Sequence, residues 1–266
     1  MSQQAHRSDP RILNRRTLRR DHRHLATILR PGMSVLDVGC GTGAITADIA
    51  KAVGPNARVL GIDRDEANLA GAREQYAAPE NLSFETLDIL ALGGRYANSF
   101  DIVTAARTLQ WISEPQLAIR HMKQAAKLGG AVIVLDYNLE ETHWEPDPPP
   151  SFRRFYQTFL DWRKSNGWDN QMASHLTKLF HAEGLADIAT HPSDELVRRG
   201  DPDFSEPYAS GIWFYVIQTL GPKLVQEAFL EEELRLSAEE DYSLYIRDTL
   251  QLQKHSMLTV AGRKAT

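Results

Sequence analysis

The chemistry of this 266-residue chain concentrates at Asp37-Val38-Gly39-Cys40-Gly41-Thr42-Gly43, an acid followed by three glycines at alternate positions. Without Cβ atoms, Gly39, Gly41 and Gly43 let the backbone turn sharply and let a ligand touch it. Amides of a helix starting just beyond the loop suit an anionic group such as a carboxylate. Asp37, two residues ahead of the first glycine, suits an ammonium group. Gly39, Gly41 and Ala44 also satisfy the G-x-G-x-x-A pattern of dinucleotide sites. Against that reading, Asp37 is an odd neighbour for a pyrophosphate, because like charges repel across a few Å. A general base, if one is used, is sought after the fifth strand among Asp136, Tyr137 and His143. An imidazole has the best unperturbed pKa for that work.

The elements that must position these groups alternate. Ser34–Val38, Arg58–Ile62, Leu82–Thr86, Phe100–Thr104 and Ala131–Asp136 read as strands. Helices are predicted over Thr42–Val53, Glu66–Tyr76 and Pro115–Leu128. This alternation predicts an α/β fold, a doubly wound, mostly parallel, Rossmann-like sheet. A sixth strand over Asp187–Val197 and a seventh over Ser256–Ala261 complete a seven-stranded sheet. The glycine loop then lies at the carboxyl end of a central strand, where open α/β sheets bind ligands. Residues 1–30 read as a helical cap carrying Arg15, Arg16, Arg19, Arg20 and Arg23, and residues 31–266 as the main domain. The arginines form either a solvated face or a grip on an acidic substrate. His6, His22 and His24 on the same cap are weaker base candidates.

Helical insertions are expected at about 145–168 and 201–252, forming a lid. The second should break at Gly221-Pro222 and again before a capping pair, Ser237 and Glu240. Lid aromatics Phe152, Phe155, Tyr156, Phe159, Trp162 and Trp168, with Tyr208, Trp213, Phe214 and Tyr215, are either core or the wall of an acceptor pocket.

Val35 to Gly43 resembles motif I of class I S-adenosylmethionine-dependent methyltransferases, and Gly61-Ile62-Asp63-Arg64-Asp65 is similar to their second motif. The resemblance implies that S-adenosyl-L-methionine is the cofactor, with Asp37, Gly39, Cys40, Gly41 and Gly43 around it. Asp63, next to Arg64, would accept from both ribose hydroxyls. Leu87-Asp88-Ile89 is similar to the adenine-contact motif, with Asp88 accepting from the exocyclic amine and Ile89 packing on the ring. Ala105 and Ala106 supply the small residues needed beside the methionine part. Leu109 to Ile112 and Leu128-Gly129-Gly130 continue the likeness, Leu128 standing where proline is common. Pro31 to Tyr137 are covered, nearest to the small-molecule enzymes of ubiquinone/menaquinone-biosynthesis type. The reaction implied is in-line methyl transfer to a small organic acceptor, to which the lid aromatics add an expectation of apolar or ring character.

Composition narrows the rest. The formal charge of −5 offers no global attraction to nucleic acid. Cys40 is the only cysteine and there is no His-Glu-x-x-His pair, so neither a disulfide nor a metal is expected. No apolar run approaches the ~20 residues of a membrane span. With no secretory signal pattern, a cytoplasmic protein is expected, and homo-oligomer formation stays open. A nicotinamide-dependent oxidoreductase and a non-catalytic nucleoside-binding or interaction protein are the alternatives.

Overall fold

A computed structural model of the chain describes residues 9–205 and 209–265. Val/Ile/Leu-rich stretches form the sheet. Strands β1 (Val35–Val38), β2 (Val59–Asp63), β3 (Leu82–Thr86), β4 (Phe100–Ala106) and β5 (Ala126–Glu145) run parallel. Two further strands, β6 (Ala186–Pro192) and β7 (Glu195–Arg198), both pair antiparallel with β8 (Leu252–Arg263), which is itself antiparallel to β5. The order is β3-β2-β1-β4-β5-β8-β6, with β7 beside β8. Because β1 pairs with both β2 and β4, connections wind away on either side of it. The crevice beyond the carboxyl ends of β1 and β4 is thus the topological switch point, where ligands bind.

Among the described residues the sheet has eight strands where seven are expected. Pro192, which has no N–H to donate, ends β6, and pairing with β8 resumes at Glu195. The described residues of the predicted cap form three short helices: α1 (Pro10–Leu13), α2 (Leu18–Asp21) and α3 (Arg23–Ile28). Asp9 caps the first and Thr17 the second, so each polar cap restarts the chain. Leu18, Leu25 and Leu29 are buried against the sheet-side residues Ile49, Val53 and Ile133. Helices α4 (Ala44–Val53), α5 (Glu66–Gln75) and α6 (Pro115–Ala125) cover the sheet.

A second core stands above the strand ends. Strands β5 and β8 continue past the sheet as a ribbon, with His143 opposite Lys254 and Trp144 opposite Gln253. Against it pack α7 (Pro150–Ser165), α9 (Ile212–Gln226) and α10 (Glu232–Asp248), while α8 (Met172–Ala182) returns to the main core. Neither expected break in the lid occurs: α9 runs through Gly221-Pro222, and Ser237 lies inside α10. Burial decides both cases. Ile217, Leu220 and Leu224 span the first site, and Ala238, Tyr242 and Tyr245 hold the second against the aromatic core. Tertiary packing outweighs a local stop signal when a whole apolar face is covered.

Candidate active site

An open cleft runs along the ends of β1, β2 and β4, enclosing about 840 Å³ with the solvent at its mouth included. Gly39, Gly41, Asp63, Arg64, Asp88 and Ile89 line it, together with Leu13, Arg16, Arg107, Thr108 and Trp111. The loop's shape is locked from several sides. Gly39 has φ +71°, and a Cβ there would stand 2.4 Å from the Thr108 side chain. The Thr108 hydroxyl bonds the Val38 and Ala106 carbonyls, stitching β1 to β4. Asp63 ties the second strand to the loop: one oxygen accepts from the Gly41 amide at 2.8 Å, the other from the Asp65 amide at 2.9 Å. Burial raises the Asp63 pKa, and the two amides work against that rise. Asp65 caps α5. Asp88 spends one oxygen on the Leu90 amide, and Ile89 is buried beside it.

A recess adjoins this cleft at the start of α4, lined by Asp37, Gly39, Cys40, Gly41, Thr42, Ala44 and Arg16. Asp37 is buried, and its one side-chain hydrogen bond comes from the Thr46 hydroxyl at 2.7 Å. Burial pushes its pKa up to about 7, opposed by Thr46 and reinforced by the nearby Asp63. The Thr42 hydroxyl is buried without a hydrogen-bond partner. The recess therefore holds an acid poised for a cation and a free hydroxyl at a helix N-terminus, where anions are favoured. Burial also holds the Cys40 thiol well above its usual pKa, so it is no nucleophile here.

On its other side the cleft meets a chamber of about 740 Å³, walled by Ile12, Trp111, Tyr137, Leu139, Phe159 and Trp213. Leu13, Arg16, Arg107 and Trp111 border both spaces. Arg107 is a buried non-glycine residue at φ +59°. Its guanidinium donates to the Tyr137 hydroxyl, the Asp21 carbonyl and the Glu195 carboxylate. Burial alone would lower its pKa; Glu195, Tyr137 and Asp21 overcome that and raise it. Against its own desolvation, Arg107, His255 and Arg16 hold Glu195 well below the usual carboxylate range. Beneath Trp111, the Gln110 amide donates to Asp136 and Arg163 donates to the Gln110 carbonyl. Arg163 lies 4.0 Å from the Trp111 ring, so a buried polar chain fixes that indole. Burial lifts Asp136 to about 7 despite the amides of Tyr137 and Gln110.

Several expected site residues stand elsewhere. His143 is 54% exposed and bonds Glu145 on the outer side of the ribbon. Side chains alternate along a strand, so Trp144 points into the aromatic core and His143 away from it. Gly43 faces Phe84, which a Cβ would approach to 2.6 Å, and starts α4 rather than lining the cleft. Ala105 is fully buried in β4; Ala106, one residue on, lines the cleft. Asp136 is fully buried and holds backbone amides. His22 bonds the buried Thr104 hydroxyl of β4, and burial takes its pKa down to about 3. Of the lid aromatics, Phe159 and Trp213 reach the chamber, while Phe152, Phe155 and Trp162 are core. Tyr208 and His6 lie outside the described residues. Sequence reasoning missed Thr42, Arg107 and Glu195. Thr42 was within the motif and legible as a helix-start hydroxyl; the Arg107–Glu195 pair spans distant segments and had no local signal.

Comparisons with known proteins agree with this architecture. A family model described as a methyltransferase domain matches residues 29–184. Over 108 residues the chain is 38% identical to the demethylmenaquinone methyltransferase of Staphylococcus aureus (strain JH9). That stretch is 41% of this chain and 44% of the relative, so the match spans less than half of that enzyme's length. Among solved structures, Haemonchus contortus phosphoethanolamine N-methyltransferase 2 in complex with S-adenosyl-L-methionine is similar with a TM-score of 0.54 at 18% identity. The likeness covers 90% of this chain and 50% of that one. The cyclase SpnF is similar with a TM-score of 0.57 at 19% identity, covering 94% and 84%. At such identities the structures speak for the fold alone. The family model takes in more than half of the chain, and the chain belongs to the methyltransferase-domain family, of the class I, S-adenosylmethionine-dependent kind.

Proposed function

We propose that this protein transfers the methyl group of S-adenosyl-L-methionine to a small organic acceptor held in the aromatic chamber. The observation that carries the reading is the junction itself: a cleft lined by acids and loop glycines and an apolar chamber meet at Leu13, Arg16, Arg107 and Trp111. The cleft's donors and acceptors fit the cofactor's parts. Asp63 and the unspent oxygen of Asp88 suit ribose hydroxyls and an amino-purine edge, with Arg64 at the mouth and Ile89 beside the ring. Asp37 suits the ammonium, and the Thr42 hydroxyl with the α4 amides suits the carboxylate. When bound, the cofactor supplies an activated methyl group on a sulfonium sulfur.

What the chain adds is alignment and exclusion of water, which together remove up to ~7–11 kcal/mol from such a barrier. Trp111, Phe159 and Trp213 give the acceptor an apolar wall. Tyr137 accepts from Arg107, leaving its own O–H to donate. Burial raises its pKa despite Arg107, so at neutral pH it is a phenol that orients an oxygen rather than a base. No helix among the described residues is long and apolar enough to cross a membrane. In this reading the protein works in the cytoplasm with Cys40 as a thiol.

The test is a screen of metabolite extracts with methyl-labelled cofactor, Gly41→Arg serving as the control. Label transferred by the wild type and absent with the variant supports the reading. Thermal stabilisation by NAD(H), with none by S-adenosylhomocysteine, would move the protein to the oxidoreductases.

A further inference from the structure

Leu13 and Arg16 both border the cofactor cleft, the recess at α4 and the chamber, and Arg16 is the charged one of the two. Its surroundings leave its charge underused. Among the described residues its guanidinium makes no hydrogen bond, while each nitrogen of the neighbouring Arg107 guanidinium donates, to Tyr137, Asp21 and Glu195. Burial and the repulsion from Arg107 both pull the Arg16 pKa down, outweighing the pull of Tyr137, Asp21 and Glu195. Asp21 and Glu195 sit in its field but contact Arg107 instead, so this half-buried cation gains most from an anion that touches it directly. The planar guanidinium matches a carboxylate or an ionised hydroxyl better than any neutral group.

The cofactor's own carboxylate already has receptors, the partnerless Thr42 hydroxyl and the first amides of α4. The anion that Arg16 lacks must then come from the chamber side. Resting on the methyl-transfer reading above, we propose that the acceptor is an apolar, ring-bearing acid whose anionic oxygen is held by Arg16 at the mouth of the chamber. Methyl transfer to that same oxygen needs no base, because its proton is already gone. That matches a chamber in which Tyr137 is a phenol and His255 is engaged by the Trp213 N–H at 3.1 Å.

The experiment is calorimetry on protein saturated with S-adenosylhomocysteine, titrated with 2-naphthoate and with 2-naphthamide, a pair alike in shape and different in charge. Wild type is expected to bind the carboxylate about tenfold more tightly, the worth of one charge-assisted contact. Arg16→Gln should erase that preference, and Arg16→Lys should keep its sign; thermal melting checks that both variants fold. Equal binding of the two probes, no saturable binding of naphthoate, or a preference that survives Arg16→Gln overturns the proposal. A second arm compares S-adenosylhomocysteine with methylthioadenosine, which lacks the amino acid. If Arg16→Gln weakens only the former, Arg16 serves the cofactor's carboxylate and the proposal fails. If the wild type binds neither nucleoside, the methyl-transfer reading itself fails.

Discussion

The cofactor cleft and the acceptor chamber lie side by side but are built from different materials. The cleft comes from three short segments at successive strand ends, around Gly39–Thr42, Asp63–Asp65 and Leu87–Ile89, and backbone conformation sets its shape. Gly39 and Gly41 sit at φ values that side chains resist, and carboxylates hold amides in place. The chamber is assembled from α1, β5, α7, α9 and β8, and interlocking rings set its shape. Trp213 stands within 4.7–6.4 Å, centroid to centroid, of Tyr156, Phe159, Phe152, Trp144 and His255. The first region is limited by conformation and the second by volume, so different substitutions should break them.

The largest expected effect is on the volume-limited side. Trp213→Ala removes a ring at the centre of the lid core and should cost ~3–5 kcal/mol of stability. Denaturant unfolding measures this, and S-adenosylhomocysteine affinity should move less than about threefold, because the cleft shares no atoms with that ring. A large loss of nucleoside affinity would mean that the two regions are one unit.

Next comes the conformation-limited side. Gly41 has φ +55° and only Leu13 within reach of an added Cβ. Gly41→Arg should add ~1–2 kcal/mol of backbone strain while pushing a long side chain into the cleft. Affinity for S-adenosylhomocysteine should fall about a hundredfold or more, with the chain still folded. Undiminished affinity would remove the site.

The smallest effect sharpens the comparison through one proton. Asp37 stays protonated in the fold up to about 7, against an ordinary value of 3.8. The unfolded chain therefore loses this proton first, and the stability this group contributes falls as pH rises from 3.8 to about 7. Asp37→Asn should flatten that part of the stability curve. An ammonium placed beside Asp37 favours the ionised form, so nucleoside binding at pH 6 should release a fraction of a proton. Titrations in buffers of different ionisation enthalpy read this directly. Release that persists in Asp37→Asn would assign it to another group.

The same contrast explains what was legible in the residues alone. Local signals carried the cleft: the strand-glycine-helix run, Asp63 at the end of β2 and Asp88 at the end of β3 all stand where expected. Gly43 and Ala105 missed the cleft by one residue each, because neighbouring positions on a loop or strand face opposite ways. The chamber could not be read in advance. Arg107 meets Glu195 only because β7 folds back on β8, and His143 pointed outward by the phase of a ribbon whose bulge lies between Asn138 and His143. Arg16 was visible only as one of five arginines, and what distinguishes it is that its neighbours are already paired.

The most direct measurement is calorimetric titration of the wild-type chain with S-adenosylhomocysteine. One saturable site per chain, weakened by Gly41→Arg and by removal of the amino-acid half of the ligand, is the predicted outcome. A chain that evolves no heat with this nucleoside yet melts higher with NAD(H) would contradict the account at its root.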